Sequence, residues 1–253
     1  MEMGGKTDSA VPDYGNWVSW KLLLTLGIAA GVLLVLSLLS LYLLIGVVLV
    51  LAAFAIFAYQ RYLFSPRGGN VQVKLWDLLV EHLDWDGNGQ AIDIGCGSGP
   101  VAIRVAKKYP NAKVIGIDYW GRVWEYSKAK CERNARIEGV EGRVSFQKGD
   151  AAALPFEDGF FDAAVSNFAF HEVGSAKDKR DVLKEALRVV KKGGKFAFQD
   201  LFTMRRHYHS DVDELLRTIR SWGVEQVALE RTLEANSVPK ILREPVAIIW
   251  GVK

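Results

Sequence analysis

Three glycines at alternate positions, with one acid before them and another nineteen residues after them, form the stretch whose residue types and spacing are best suited to binding a ligand. In the run D-I-G-C-G-S-G, which begins at Asp93, the glycines are Gly95, Gly97 and Gly99. Glycine permits positive φ and lets a ligand approach the main chain closely, and a following helix N-terminus favours an anionic or electron-rich group. Asp118 lies nineteen residues after Gly99 and can accept hydrogen bonds from both hydroxyls of a ribose. The pattern favours a nucleoside cofactor.

The elements around these residues place the glycines at a turn between a strand and a helix. An apolar run at residues 91–94 predicts a buried parallel strand, residues 101–108 predict a helix, and residues 113–117 predict the next strand. The dinucleotide fingerprint G-x-G-x-x-G is broken, because Pro100 stands where its third glycine belongs. The cofactor is therefore expected to lack a pyrophosphate, which disfavours a nicotinamide-dependent oxidoreductase.

A later run supplies further motifs in the order expected of a known family. Residues 149–173 read G-D-A-A-A-L-P-F-E-D-G-F-F-D-A-A-V-S-N-F-A-F-H-E-V. With the glycine stretch and Asp118, this run resembles the class I S-adenosylmethionine-dependent methyltransferases, and within them the branch that includes the ubiquinone and menaquinone biosynthesis methyltransferases. The resemblance covers residues 71–253. It implies an α/β, Rossmann-like, seven-stranded sheet with helices on both faces and an antiparallel last strand.

The same resemblance implies S-adenosyl-L-methionine as the cofactor and a set of residues that bind it. That set is Asp93, Gly95, Cys96, Gly97, Gly99, Asp118, Tyr119, Asp150, Ala151 and Asn167. In relatives, an acid at the position of Asp150 accepts a hydrogen bond from the adenine amino group, and the next amide, here that of Ala151, faces the ring. The alternative for Asp150 is a structural helix cap, which aspartate also suits.

Asn167 and His171 follow the predicted fourth strand and are the candidate catalytic residues. Methyl transfer is an in-line attack on an activated carbon, so that positioning supplies most of the acceleration and no strong base is required. His171 is either a base that deprotonates the acceptor or a residue that caps the loop. The sequence S-N-F-A, residues 166–169, departs from the N-P-P-Y/F type of motif, which disfavours methylation of amide or exocyclic amino nitrogens.

Charge and composition restrict the partners. A net charge of +3, without a basic stripe interleaved with aromatic residues, argues against nucleic acid as a partner. Two cysteines do not indicate a disulfide framework. His207 and His209 alternate without a third ligand, so no metal site is predicted. Arg205 and Arg206 either hold an anionic headgroup or lie in a solvated loop.

The N-terminal part is dominated by residues 22–59, in which no side chain is charged and no histidine occurs. One helix of this length would extend about 57 Å, whereas the hydrocarbon core of a bilayer is roughly 30 Å thick. Two transmembrane helices, at residues 17–36 and 43–62, fit better. Trp17 and Tyr62 are among the aromatic residues placed to lie at the interface. A re-entrant hairpin, one tilted helix and a buried soluble helix pair are the alternatives.

These patterns together predict four parts of the chain and one function. The parts are a polar tail at residues 1–16, a membrane hairpin at 17–62, a linker at 63–70 and the methyltransferase domain at 71–253. The expected protein is an integral membrane methyltransferase whose catalytic domain lies in the cytoplasm and acts on a small, lipophilic acceptor. The rivals are a catalytically silent cofactor-binding module of a membrane complex and the disfavoured oxidoreductase. The oligomeric state is not predicted.

Overall fold

The computed structural model describes residues 11–121, 126–231 and 246–253, which divide into two compact units. One unit is Gly15–Leu75 and holds two long helices. The other described residues, which include 11–14, form the unit around the β-sheet.

Seven strands lie side by side in the described part of the chain and form one sheet. In chain order they are β1 (Gly89–Ile94), β2 (Ala112–Asp118), β3 (Val144–Lys148), β4 (Phe161–Asn167), β5 (Val190–Asp200), β6 (Gln226–Arg231) and β7 (Ala247–Val252). The order across the sheet is β3-β2-β1-β4-β5-β7-β6, with β1 to β5 parallel and β7 antiparallel to both of its neighbours. The expected seven-stranded sheet with an antiparallel last strand is confirmed.

The strand order reverses between β1 and β4, and this point determines where a ligand can bind. Parallel sheets bind ligands outside the carboxyl ends of the strands at such a switch point. Ile94 pairs with Ser166 at the ends of the two strands, and the Ser166 hydroxyl donates to the Ile94 carbonyl at 2.8 Å. The loop after β1, which carries the glycines, and the loop after β4, which carries His171, therefore begin side by side.

Helices separate the parallel strands along the chain, except that β4 follows β3 directly. In chain order the helices are α1 (Trp20–Leu36), α2 (Leu43–Phe64), α3 (Val71–His82), α4 (Pro100–Lys108), α5 (Lys128–Ile137), α6 (Lys179–Arg188), α7 (Arg205–Tyr208) and α8 (Val212–Ser221). Ile92 and Ile94 of β1 pack into a core with buried side chains of α6 and α8. Asp93 points to the opposite face, where it meets the backbone of α4. This alternation is the period-two pattern of a strand buried on both faces.

Local sequence explains where the helices begin. Asp178 and Asp211 each accept a hydrogen bond at 2.9 Å from a backbone amide in the first turn that follows, and so cap α6 and α8. Helix α4 begins differently, because Pro100 is its first residue and Gly99 before it has a φ of 85°. Proline is suited to this first position since the amide that it lacks has no partner within the helix.

The second unit contains α1, α2 and the turn at residues 37–42 between them. The helices pack against each other, with Gly27 facing Phe54 and Gly46 facing Leu33. The turn lacks Pro, Gly and Asn. The Ser37 hydroxyl, which follows α1, donates to the Leu34 carbonyl in the last turn of that helix at 2.6 Å. The predicted pair of helices is therefore present, with bounds that differ by a few residues from the expected ones.

The surface of this unit is apolar over most of its length. Leu38, Leu39 and Tyr42 in the turn are each about 85% exposed, and large apolar side chains along both helices are also exposed. Among the described helices, Leu43–Phe64 is long and apolar enough to cross a membrane, whereas α1 has 17 residues and falls short of the usual span length. The two transmembrane spans stay a prediction.

Candidate functional site

The glycine loop after β1 is held in a conformation that only glycine adopts easily. Gly95, Gly97 and Gly99 have φ values of 74°, 56° and 85°. A Cβ added to Gly95 would lie 2.1 Å from the Cβ of Ala169 in the loop after β4. Because Gly95 has no side chain, the glycine loop and the loop that carries His171 can touch. Both loops lie at the same rim of the sheet.

Asp118 fixes the middle of the glycine loop. One carboxylate oxygen accepts a hydrogen bond from the Gly97 amide at 2.8 Å, and the other accepts from the Trp120 amide at 2.7 Å. The Trp120 indole donates back to the Gly97 carbonyl at 2.9 Å. Burial raises the pKa of Asp118, although both amides oppose the rise. The sequence places this acid near the cofactor, and the structure adds that it holds the loop; its contact with a ribose stays a prediction.

Asp93 lies beneath the same loop and is almost completely buried. Its carboxylate accepts a hydrogen bond from the Ala102 amide in the first turn of α4 at 2.8 Å. Burial raises the pKa of Asp93 to about 7; the Ala102 amide opposes the rise and the charge of Asp118 adds to it. Two acids next to one loop favour a cofactor with positive charge, as S-adenosylmethionine has on its sulfonium and amino groups.

Cys96 and Tyr119, both predicted cofactor residues, differ in their exposure. Cys96 is buried, and burial raises the pKa of its thiol, so that the sulfur stays protonated and is a poor nucleophile. Tyr119 is 64% exposed, with the Lys148 ammonium 5.0 Å from its ring centre. Contact of either residue with the cofactor stays a prediction.

Asp150 lies in a turn between β3 and β4, where no helix begins. Its carboxylate accepts from the amide of Ala152 and from the hydroxyl of Ser175, both at 2.9 Å. These bonds stabilise the turn, and the alternative of a helix cap is wrong because no helix follows Asp150. The adenine contacts of Asp150 and Ala151 stay predictions.

His171 forms a pair with Asp200 that the sequence did not predict. The His171 Nδ1 lies 2.6 Å from an Asp200 oxygen, and the His171 amide donates to the other oxygen at 3.2 Å. Asp200 ends β5, next to the end of β4, and its side chain is 1% exposed. A buried carboxylate on Nδ1 orients the imidazole and leaves Nε2 as the nitrogen that exchanges its proton. The signal in the sequence was an acid at the end of the neighbouring parallel strand.

The charge of His171 is set by the groups around it. Burial alone would lower its pKa, but the hydrogen bonds and charges of Asp200 and Glu172 outweigh burial and raise the pKa to about 9. The Glu172 carboxylate lies 3.4 Å from Nε2 and is half exposed. The ring centre of His207 lies 5.6 Å away, and burial, followed by the charge of His171, lowers the pKa of His207. His171 is therefore an imidazolium at neutral pH in the ligand-free protein.

Two amide side chains, one half-buried and one fully buried, lie at the same ends of β4 and β5. Asn167 pairs with Gln199 in the register of the two parallel strands, so that both side chains point to one face of the sheet. Within the described residues, Asn167 Oδ1 and both polar atoms of the Gln199 side chain have no hydrogen-bond partner. Gln199 is fully buried. An unpartnered buried amide costs stability unless a ligand or an ordered water completes its hydrogen bonding.

The basic residues after β5 adjoin the His171–Asp200 pair through His207. Arg205 and Arg206 lie exposed at the start of α7, and the Arg206 guanidinium donates to the His207 ring at 2.9 Å. Among the described residues, no three His, Cys, Asp or Glu side chains are grouped as metal ligands would be. The anionic-headgroup role of the two arginines stays a prediction.

Comparison with known proteins identifies one domain that includes the glycine loop, Asp118 and His171, whereas Gln199 and Asp200 lie just beyond its end. Residues 92–198 match the family model described as a methyltransferase domain. The ubiquinone/menaquinone biosynthesis C-methyltransferase UbiE of Citrifermentans bemidjiense is 30% identical over 125 residues, which cover 49% of this chain and 50% of that protein. The demethylmenaquinone methyltransferase of Lactococcus lactis is 34% identical over 126 residues, which cover 49% and 47%. The chain thus spans about half the length of the curated relatives it matches.

A solved structure shares the fold at lower identity. The (4+2)-cyclase SpnF is similar with a TM-score of 0.53 and 22% identity, over 72% of this chain and 80% of that chain. Because SpnF is a cyclase by name, the shared fold does not by itself decide the reaction.

Proposed function

We propose that this chain, which contains a class I S-adenosylmethionine-dependent methyltransferase domain, methylates a small, lipophilic acceptor at a membrane surface. The match over residues 92–198 confirms the expected methyltransferase domain and its cofactor. The observation that supports turnover, rather than binding alone, is the His171–Asp200 pair at the rim where the loops after β1 and β4 touch. A module that only bound the cofactor would not need an oriented imidazole there.

The residues of the glycine loop fit this cofactor. Gly95 and Gly97 have left-handed backbones that open the main chain to a ligand, and Asp93 and Asp118 supply the negative charge. When bound, S-adenosylmethionine supplies a methyl group activated by its sulfonium. The chain's own residues would hold the acceptor where that methyl group can be attacked in line.

Proton removal from the acceptor is assigned to His171. Its Nδ1 proton is donated to Asp200, so that Nε2 is the atom that takes the acceptor proton. A pKa of about 9 lies within roughly one unit of the usual pKa of a phenol, about 10, so that proton transfer is nearly balanced in energy. The acceptor class that this geometry favours is therefore a phenol or hydroquinone.

Two further observations support a lipophilic acceptor. Two relatives carry names from quinone biosynthesis, and α1 and α2 expose apolar side chains along most of their length. At the open end of these two helices, the Asn16 side chain donates to the Arg61 carbonyl at 3.0 Å and Trp17 packs edge-on against Phe64. Polar and aromatic residues at one end of an apolar helix pair are typical of a membrane interface. A hairpin with both ends in the cytoplasm leaves the catalytic domain there.

The reaction is tested by incubating the full-length protein with methyl-labelled S-adenosylmethionine and a native membrane lipid extract. Label should enter the organic phase, and His171→Asn should remove most of it while the cofactor still binds. Label that stays in the aqueous phase with wild type, although calorimetry detects cofactor binding, would favour the silent module.

The membrane anchor is tested separately on the exposed face of α2. Val48 and Leu49 are each about 65% exposed. Replacing both by aspartate should move the protein from the membrane fraction to the soluble or aggregated fraction, because charges at the centre of a span are costly. Replacing both by alanine is the matched control and should leave the protein in the membrane. Equal fractionation of the two double variants would contradict the anchor.

A further inference from the structure

The described N-terminal residues, 11–14, belong to the sheet unit although the apolar helices follow them in the chain. Their backbone is held by two side chains of that unit. The Asp13 amide donates to Asn134 Oδ1 and the Asp13 carbonyl accepts from Asn134 Nδ2, both at 2.9 Å. The Tyr14 carbonyl accepts from the Ser98 hydroxyl at 2.7 Å. Ser98 is a residue of the glycine loop.

Asn134 connects this segment to the glycine loop a second time. It lies on α5, is fully buried, and its Nδ2 also donates to the Ser98 carbonyl at 3.0 Å. Two donated bonds and one accepted bond use both amide protons and the carbonyl oxygen. The segment, α5 and the glycine loop are thus one hydrogen-bonded network, and removing a member leaves buried polar groups unpaired.

The side chains of the segment are held as well. The Tyr14 ring lies edge-on to Trp76 at 5.7 Å between centres. Its hydroxyl donates to Glu138 at 3.1 Å, and burial raises the pKa of this phenol. Lys130 forms an ion pair with Asp13 at 2.8 Å. Contacts of this kind are those of a fixed element rather than a loose tail.

We infer that residues 11–14 are a strap that positions the glycine loop for cofactor binding. The strap contacts the loop at Ser98, one residue from the Gly97 amide that Asp118 holds. The loop is thus fixed from two sides, by β2 through Asp118 and by the N-terminal strap through Ser98. The two apolar helices follow the strap directly in the chain, so the candidate membrane anchor is covalently joined to a segment that contacts the glycine loop.

The test is cofactor affinity in the full chain with and without the strap. Deleting residues 1–14 should raise the Kd for S-adenosylmethionine about tenfold or more, which corresponds to about 1.4 kcal/mol. Ser98→Ala in the full-length chain should weaken binding as well, because its hydroxyl is the direct link to Tyr14. In the deletion background the same substitution should have little further effect. Ser221→Ala is the matched control, since that hydroxyl donates to the Thr218 carbonyl on α8 at 2.6 Å.

This inference depends on cofactor binding and not on the acceptor, so calorimetry separates its failure from failure of the proposed reaction. An unchanged Kd in a deletion variant with native circular dichroism would overturn it. Equal effects of Ser98→Ala in both backgrounds would also overturn it, because Ser98 would then act without the strap. If the deletion variant does not fold, the cofactor affinities of Tyr14→Ala and Tyr14→Phe in the full chain are compared instead. Weaker cofactor binding by Tyr14→Ala alone, measured well below its Tm, supports the strap, and wild-type affinity in both contradicts it.

Discussion

The ion pair between His171 and Asp200 makes a quantitative prediction for the pH dependence of turnover. Raising the pKa of His171 from 6.5 to about 9 corresponds to about 3 kcal/mol in favour of the protonated ring. At pH 7 roughly one molecule in a hundred then carries a neutral imidazole that can accept a proton. The methylation rate should therefore rise about tenfold per pH unit from neutrality and level off near pH 9.

Asp200→Asn is the perturbation that isolates the cause. Without the Asp200 carboxylate, only Glu172 opposes the effect of burial on the pKa of His171, so the inflection should move from about 9 to a lower pH. The height of the plateau should also fall, since an amide no longer fixes the tautomer, but the position of the inflection is the diagnostic quantity. His171→Asn should abolish the inflection and lower the rate by about 10²–10⁴-fold at unchanged cofactor affinity.

The assay is the initial rate of methyl transfer, measured under anaerobic conditions between about pH 6 and pH 10. This range covers the wild-type inflection near pH 9 and a shift to lower pH in Asp200→Asn. The chain has four histidines, so a nuclear magnetic resonance titration of the ring signals gives the pKa of His171 directly, with His171→Asn as the assignment control. The ion pair has a matching effect on stability. The raised pKa stabilises the fold fully below pH 6.5, and this contribution is lost as the pH rises through about 9. A wild-type His171 that titrates near 6.5, or full activity in His171→Asn, would refute the reasoning.

Three further substitutions test the rest of the site. Asp118→Ala should weaken S-adenosylmethionine binding on the order of a hundredfold. The expected pair of hydrogen bonds from the ribose to the carboxylate is lost, and the Gly97 amide loses its acceptor. Unchanged affinity by calorimetry would remove Asp118 from the site. Asp93→Asn should remove a pH-dependent loss of stability, because the raised pKa makes this loss accumulate between about pH 4 and pH 7, where it reaches about 4 kcal/mol. Urea unfolding at about pH 4 and pH 8 measures most of it, and equal pH dependence in both proteins would contradict it. Gln199→Leu should stabilise the ligand-free protein by roughly 1–3 kcal/mol, because the polar atoms of the buried amide have no partner within the described residues. Turnover should fall if this amide bonds the acceptor beside Asn167. A destabilised or fully active variant would count against a role of Gln199 in binding the acceptor.

The individual strands and the glycine loop follow from local patterns, whereas the seven-stranded sheet with its antiparallel last strand was implied by the family resemblance. Alternating and continuous apolar runs predicted the strands, and the three glycines predicted the turn between β1 and α4, where each has a positive φ. Asp118 was predicted as a site residue from its spacing. Its bond to the Gly97 amide was not predicted, because it joins residues 21 positions apart in the chain and depends on the order of the strands.

Asp200, Gln199 and the strap could not be identified from local sequence. Asp200 ends a strand as many surface acids do, and it becomes the partner of His171 only because β5 lies next to β4. Residues 11–14 look like an ordinary polar tail, since their main chain, rather than a motif, makes the contacts with Asn134 and Ser98. Long-range pairing therefore decided what the local patterns left open.

The central claim is that the oriented imidazole serves methyl transfer to a lipophilic acceptor. The most direct measurement compares wild type with His171→Asn in the transfer of labelled methyl from S-adenosylmethionine to a native membrane lipid extract at about pH 9, where roughly half of His171 is neutral. We expect label in the organic phase with wild type, a loss of about a hundredfold or more in the variant, and equal cofactor affinity in both. Equal label from both proteins, or none from wild type with the cofactor bound, would contradict the claim.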